Sequence, residues 1–161
     1  IGGVNNLKVL TSEFSYTNGT APQCGIDIEP DAGQLADGVL IQKCLLKNNN
    51  MYGLLVYARA RNITVKHCDI TGNKRGVQSG TALNGHLDSN RVWGNSIYGI
   101  YLNNGTDGFT VSKNLFYKNR ADTLRASPPF PMEICGEEYN ITKNEIRDYG
   151  TNTTINCNTY K

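Results

Sequence analysis

A short pattern of alternating apolar residues returns along the whole chain and constrains the fold more than any other feature. In the stretch 61–79, RNITVKHCDITGNKRGVQS, apolar or small residues alternate in three short runs that Asn and Gly separate. The second apolar residue of each copy marks the repeat, at Val9, Ile41, Val65, Leu87, Val111 and Ile141. The successive spacings are 32, 24, 22, 24 and 30 residues, and such a period with insertions is typical of a solenoid.

The chemistry of the repeat favours strands over helices. Apolar residues at a spacing of two, in short runs rich in Val, Ile and Leu, are typical of short strands. A leucine-rich repeat has a similar period, but its leucine consensus is missing. The sequence therefore predicts an all-β fold, a parallel β-helix with about six to seven coils of three short strands each.

The repeats resemble those of the right-handed parallel β-helix family, which includes pectate lyases, mannuronan epimerases and phage tailspikes. This resemblance covers almost the whole chain and implies a single-stranded, right-handed coil. The chain is most similar in character to tailspike and bacterial polysaccharide-processing domains. That similarity implies a polysaccharide partner, an extracellular or virion-surface location and, for a tailspike, assembly as a homotrimer.

Length and charge bound the other function classes. We predict one domain over residues 1–161, and we expect a piece of a longer protein because the chain begins without Met or a capping helix. The 16 basic and 14 acidic residues leave a net charge of +2, which predicts no general attraction to nucleic acid or to anionic membranes. No apolar run approaches the roughly 20 residues that a membrane span needs.

Stacking the copies places Asn residues in two columns at the bends of the coil. One column contains Asn90, Asn114 and Asn144, and the other contains Asn49, Asn73, Asn95 and Asn119. Side-chain amides that stack at strand spacing can bond to one another and to turn backbone groups. We therefore predict a structural role for both columns and assign them no catalysis.

The chain has five cysteines and two histidines. Cys44 and Cys68 occupy one interior position in successive coils, so we predict two buried, reduced thiols beneath an Asn stack. The pairing of Cys24, Cys135 and Cys157 stays open. No CxxC spacing occurs and neither histidine has a second one at metal-ligand spacing, so the sequence predicts no metal site and no cofactor.

The third strand of each coil, which follows a glycine, carries the candidate site. If the apolar residues of GIDIE (25–29), GLLVY (53–57), GVQSG (76–80) and GIYLN (99–103) point inward, the residues between them point outward. One outward column then contains Asp27, Leu55, Gln78, Tyr101 and Glu133, and the other contains Glu29, Tyr57, Gly80, Asn103 and Cys135. No other predicted face combines carboxylates, tyrosines and amides, so we predict that this face binds a polysaccharide.

Asp27 and Glu29 are the predicted catalytic residues. They are two apart on one strand, so their Cα atoms should lie about 6.6 Å apart at roughly 3.3 Å per residue. Such a pair can divide into a protonated acid and an ionised base, as glycoside hydrolysis requires. The alternative interpretation is a solvated strand end whose acids pair with Arg59 or Arg61 in the following loop.

Six further residues are predicted to bind substrate. They are Tyr57, Arg59, Gln78, Tyr101, Asn103 and Glu133. Tyrosine offers a flat apolar surface to a sugar ring while its hydroxyl stays in water. Glu133 lies four coils from Asp27, roughly 19 Å at about 4.8 Å per coil, so it would contact a distant sugar and take no part in the acid pair.

Three functions compete at this point. The leading prediction is an extracellular, tailspike-like polysaccharide hydrolase that acts on a bacterial surface glycan or a plant or algal uronan. A lyase or epimerase is the alternative enzyme, with Tyr57 as the base and Arg59, Arg61 or Arg75 neutralising a uronate. The DPHE segment typical of mannuronan epimerases is absent, which argues against that activity. The third prediction is a non-catalytic adhesin or structural spike.

Overall fold

The structure of the chain, a computed structural model, describes residues 1–103, 105–119, 132–134 and 138–147. Over these residues the chain winds through six coils of a parallel β-helix, which confirms the predicted fold class. This part of the chain contains no helix that could cross a membrane.

Each coil contributes short strands in the same order. The first coil contains β1 (Val4–Asn5), β2 (Lys8–Leu10), β3 (Glu13–Ser15) and β4 (Cys24–Ile28). The second contains β5 (Ala36–Asp37), β6 (Leu40–Gln42), β7 (Leu45–Lys47) and β8 (Tyr52–Val56). The third contains β9 (Ala60–Arg61), β10 (Thr64–Lys66), β11 (Asp69–Thr71) and β12 (Arg75–Ser79).

The later coils have fewer strands among the described residues. The fourth contains β13 (His86–Asp88), β14 (Arg91–Trp93) and β15 (Tyr98–Leu102). The fifth contains β16 (Thr110–Ser112), β17 (Leu115–Tyr117) and β18 (Met132–Ile134). The sixth contains β19 (Asn140–Thr142) and β20 (Glu145–Arg147).

Parallel pairing between successive coils builds four stacked sheets. Sheet 1 contains β1, β5 and β9; sheet 2 contains β2, β6, β10, β13, β16 and β19; sheet 3 contains β3, β7, β11, β14, β17 and β20; sheet 4 contains β4, β8, β12, β15 and β18. Sheet 1 was not foreseen, since the repeat predicts three strands per coil. Its strands have only two residues each, and four of the six positions hold Ala, Asn or Asp, which have low β-propensity, so the apolar pattern does not reveal them.

The core lies inside the coil, where the inward columns stack. The six residues that mark the repeat align in register along sheet 2. In sheet 3, Ile70 is fully buried between Leu46 and Val92 of the neighbouring coils. The absence of a side chain at Gly85 makes room for the ring of Phe109, because a Cβ at position 85 would clash with the Phe109 Cε1. Burying one such apolar side chain stabilises the fold by about 1.5 to 3 kcal/mol, so these columns dominate its stability.

The two predicted Asn columns form hydrogen-bonded ladders at the bends. Asn73 is representative: its Oδ1 accepts bonds from the backbone N–H of Asn49 at 2.9 Å and from the Asn49 amide at 3.0 Å. Its Nδ2 donates to the Asn95 Oδ1 and to the Leu46 carbonyl, both at 3.1 Å. The structural role predicted for the ladders is confirmed, and they hold the bends on either side of sheet 3 in a fixed shape.

Cys44 and Cys68 extend the Asn ladder that begins at Asn90, and they lie beneath it as the sequence predicts. The backbone N–H of Cys44 donates to the Cys68 Sγ at 3.4 Å, and the backbone N–H of Cys68 donates to the Asn90 Oδ1 at 2.9 Å. Both thiols are free and buried, and burial raises the pKa of Cys68 to about 11. Cys24 is also free and buried, whereas Cys135 and Cys157 lie outside the described residues.

Candidate functional site

The predicted site residues lie on sheet 4, where strand alternation separates the core from the surface. One interior column contains Ile26, Leu54, Val77 and Ile100, each at most 4% exposed. The residue after each of these points outward, and the register aligns Asp27, Leu55, Gln78, Tyr101 and Glu133 along the stack. The predicted register is confirmed, although the side chain of Glu133 lies outside the described part of the structure.

Asp27 has the most unusual environment on this face. Its carboxyl is half-buried, and its Oδ1 is buried without a hydrogen-bond partner among the described residues. Burial raises the pKa of this carboxyl, and the nearby charge of Glu29 raises it further. Leu55, beside it on the next strand, is only 6% exposed although it points outward, so an apolar neighbour borders the acid.

Glu29 follows β4 directly and is exposed, so the two acids lie in different environments. The alternative interpretation, in which Arg59 or Arg61 pairs with these acids, is wrong. Arg61 instead donates through Nε to the Asp37 Oδ2 at 2.8 Å, because sheet 1 pairs these two residues across neighbouring coils. Within the described residues, no basic group forms an ion pair with either acid.

Tyr57 and Asn103 belong to the second outward column, beyond the ends of the strands. Tyr57 is 40% exposed, and its ring lies across Gly80 of the next coil, where a Cβ would come within 2.6 Å of the Tyr57 Cε2. Glycine at position 80 therefore provides the space that this ring occupies. One coil further, Asn103 accepts a hydrogen bond from the Tyr101 hydroxyl at 3.2 Å.

Sheet 4 has a third outward column that was not predicted from the sequence. Of its residues, only Arg75 was named, as a group that neutralises a uronate. The register aligns Tyr52, Arg75 and Tyr98. The Arg75 Nη1 donates to the Tyr52 hydroxyl at 3.1 Å, and the guanidinium carbon lies 5.4 Å from the centre of that ring. Tyr98 stacks on Tyr101 with ring centres 5.4 Å apart and a 19° angle between planes. The three residues each precede a glycine at a constant spacing of 23, a signal that could have identified them.

The side chains of this face can support acid–base chemistry and the stacking of sugar rings on tyrosine. The described residues include no group of three or more His, Cys, Asp or Glu side chains that could hold a metal ion. Cys24, at the start of β4, is a poor nucleophile, because burial and then the charges of Asp27 and Glu29 raise its pKa to about 12. The acids lie in the first coil and Tyr101 in the fourth, roughly 14 Å away at about 4.8 Å per coil.

Comparison with known proteins supports the architecture. The family model described as the right-handed β-helix region matches residues 1–160. Two solved structures of trypsin-treated variants of QnrB1, a plasmid-mediated fluoroquinolone resistance protein, are similar at 12% identity. The match covers 90% of this chain and 91% of the first variant with a TM-score of 0.20, and 90% and 92% for the second with a TM-score of 0.17. At these TM-scores the likeness carries no argument about function. No curated protein matches this chain.

Proposed function

The chain belongs to the right-handed β-helix family, and on that premise we propose that it binds a polysaccharide along sheet 4 and hydrolyses it. A β-helix supports many activities, so the proposal rests on the side chains of sheet 4 and not on family membership alone. The observation that carries it is the half-buried Asp27 beside the exposed Glu29, at one end of a face rich in tyrosine.

The binding part of the proposal rests on the rings and amides of sheet 4. Tyr57 presents an exposed ring beside Gly80, and the pair of Tyr98 and Tyr101 presents a second aromatic surface one coil beyond Gln78. Sugar rings stack on such surfaces, and their hydroxyl groups bond to amides such as that of Gln78. A glycan that lies along the stack would meet one such group at each coil.

The hydrolytic part assigns different roles to the two acids. The raised pKa of Asp27 keeps its proton to a higher pH than an ordinary Asp, so it acts as the general acid and protonates the glycosidic oxygen. Glu29, exposed to water, acts as the general base and takes a proton from the water that attacks the anomeric carbon. The bond from that carbon to the leaving oxygen breaks, and both products leave with complete hydroxyl groups.

The geometry also suggests how the glycan is oriented. Because the acids lie in the first coil, cleavage would occur near one end of the bound segment, while the rings in the second to fourth coils hold the remainder. Arg59, exposed in the turn after Tyr57, would contact the glycan from the side. Glu133 would meet a sugar about 19 Å from the cleaved bond, four strand spacings along the sheet.

A binding domain without catalysis is the second candidate. The Tyr52–Arg75 and Tyr98–Tyr101 contacts lie in the second to fourth coils and form a surface that does not need the acids of the first coil. In that case Asp27 and Glu29 would only contribute charge to the surface. An extracellular or virion-surface location and assembly as a homotrimer belong to either version of the proposal.

The first experiment is a screen of the whole chain on bacterial capsule, alginate, pectin and wall teichoic acid. New reducing ends would support hydrolysis, and an unsaturated sugar that absorbs ultraviolet light would indicate a lyase. Binding without products would favour the second candidate. Neither binding nor cleavage of any of these glycans would contradict both.

On a glycan that the parent cleaves, Asp27→Asn and Glu29→Gln should each lower kcat by about two or more orders of magnitude, the usual contribution of acid–base catalysis. The control is Asp107→Asn, which changes an acid outside sheet 4 and should leave kcat unchanged. The pH profile should be bell-shaped, and its alkaline limb should lie above the range of an ordinary Asp, because the raised pKa of Asp27 retains the catalytic proton. Full activity in both acid variants would refute the assignment.

A further inference from the structure

A second polar surface lies away from the acids, at the bend between sheet 3 and sheet 4. An open groove of about 460 Å³ runs along this bend through four successive coils. Six exposed residues form its walls: Tyr16, Asn18, Asn48, Asn50, Lys74 and Ser96. We call it the corner groove. None of these residues belongs to the outward columns of sheet 4.

The floor of the corner groove is rigid because an Asn ladder forms it. Asn49 and Asn73 line the floor, and their side chains bond to each other, to the backbone and to the next rung at Asn95. Thr17 closes the ladder in the first coil through a hydroxyl that donates to the Asn49 Oδ1 at 3.0 Å. Since the amides of the floor are fully engaged, the wall residues are the ones that remain to bind a ligand.

The walls offer polar groups and a ring in a preformed arrangement. The side chain of Asn48 extends over Gly72 of the next coil, which places its amide along the groove axis. Within the described residues, the amides of Asn18 and Asn48 have no protein partner, whereas Asn50 donates to Gln23. Tyr16 is 68% exposed at the end of the groove, and Lys47 lies 6.0 Å from the centre of its ring.

The charge of the groove points to an anionic ligand. On the neighbouring outward face of sheet 3, cations are paired: Lys47 with Glu13, and Arg91 with Asp69. Lys74 is different, because no carboxylate of the described residues lies within 4.0 Å of its ammonium group, and the described lining of the groove contains no Asp or Glu. The Lys74 ammonium group donates a weak hydrogen bond to the Met51 Sδ at 4.0 Å. An exposed cation that has no carboxylate partner and lies between free amides suits a carboxylate that carries its own hydrogen-bonding neighbours.

The length of the corner groove indicates the size of the ligand that would fit it. From Tyr16 in the first coil to Ser96 in the fourth there are three coil spacings, roughly 14 Å in all at about 4.8 Å each. That length suits a short oligosaccharide that lies parallel to the coil axis. A free monosaccharide or a single small anion would leave most of the wall groups unused.

From these observations we infer that the corner groove is a binding site for an acidic oligosaccharide, separate from the face of sheet 4. Lys74 binds a sugar carboxylate, the amides of Asn18 and Asn48 bind hydroxyl groups, and the Tyr16 ring stacks on a terminal sugar. The site shares a ligand class with the proposed function but uses none of its residues. Its failure is therefore separable from a failure of the acid pair.

The test is calorimetric titration of the whole chain with two acidic oligosaccharides, an oligogalacturonate and an oligoalginate, at low and at physiological salt. Each is compared with its methyl-esterified form, which keeps the sugar rings and removes the charge. We expect the acidic form to bind about tenfold more tightly, since the ester cannot accept a charge-assisted hydrogen bond from Lys74. The difference should shrink as salt rises, because the groove is exposed.

Three variants locate the binding. Lys74→Gln should weaken binding of the acidic form about tenfold and bring it close to that of the ester. Lys43→Gln, an equally exposed lysine in a turn on another side of the coil, is the matched control and should change nothing. Tyr57→Ala changes the face of sheet 4 and should leave the difference in affinity between the acid and its ester intact.

Several results would overturn the inference. Equal affinity for the acid and its ester would remove the role of charge. Unchanged binding in Lys74→Gln, or an equal loss in Lys43→Gln, would remove the site. Loss of the acid–ester difference in Tyr57→Ala alone would assign the charge recognition to sheet 4, and absence of binding to both oligosaccharides would refute the ligand class.

Discussion

The Asn ladder that forms the bend between sheets 3 and 4 should be one of the largest single contributors to stability. Truncating Asn73 to alanine removes both donors and the acceptor of a side chain that is 1% exposed. Its Oδ1 accepts from the backbone and side chain of Asn49, and its Nδ2 donates to the Leu46 carbonyl, the Thr71 carbonyl and the Asn95 Oδ1. Because the NH2 group has two hydrogens, Nδ2 shares them among these three acceptors, and the substitution removes the equivalent of four hydrogen bonds.

The expected cost follows from these bonds. At about 1 kcal/mol net for each of four hydrogen bonds, Asn73→Ala should lower the free energy of unfolding by roughly 4 kcal/mol. The backbone N–H of Asn49 is also left buried without its acceptor, and the cost of that unsatisfied donor adds to the loss. Since domains have a total stability of about 5 to 15 kcal/mol, the variant should be close to unfolding at room temperature.

Urea denaturation followed by circular dichroism measures this difference. The midpoint should fall strongly while the slope stays near that of the parent, because the surface exposed on unfolding changes little. Asn18→Ala is the matched control: the same residue type, exposed and outside the ladder, should change stability by about 0.5 kcal/mol or less. A loss below about 1 kcal/mol in Asn73→Ala, or equal losses in the two variants, would refute the role of the ladder.

Two further predictions concern the core and the thiols. Ile70→Asp should prevent folding, because it places an unpaired charge at a fully buried position. Gln78→Asp, at an outward position of sheet 4, should change stability little. Equal melting temperatures of the two variants would contradict the assignment of inward and outward columns. Cys44 and Cys68 should react with a thiol reagent only on unfolding, because both are buried and the pKa of Cys68 is raised to about 11. Rapid labelling of either of these two thiols in the native protein would count against this prediction.

Much of the fold could be predicted because each coil repeats the same chemistry. Alternation in runs of three residues identifies the inward columns, and the period aligns them, so the partners of Val65 in sheet 2 follow from the sequence alone. The Asn ladders follow as well, since an Asn at the same place in successive coils has another Asn at strand spacing. Sheet 1 could not be predicted, because two-residue strands carry no periodic signal.

The candidate site was predictable to a lesser degree. The register that aligns Asp27 with Gln78 and Tyr101 depends only on the repeat, and it is confirmed. What failed was the pairing of Arg61 with these acids, because sheet 1 places Asp37 next to Arg61. The contact between Tyr57 and Gly80 depends on the direction in which a ring extends, which no spacing reveals.

The corner groove shows why a binding site of a solenoid can be difficult to predict from its sequence. Its walls combine residues from four coils, and each residue alone looks like an ordinary polar residue of a turn. Yet Asn50, Lys74 and Ser96 recur at spacings of 24 and 22, the period of the repeat, and so occupy one position of successive coils. Because the ladder beneath them holds that position rigid, the wall residues can vary in chemistry without disturbing the core. Binding groups in such a fold are therefore best sought by comparing residues one period apart, beside the ladders and along the outward columns alike.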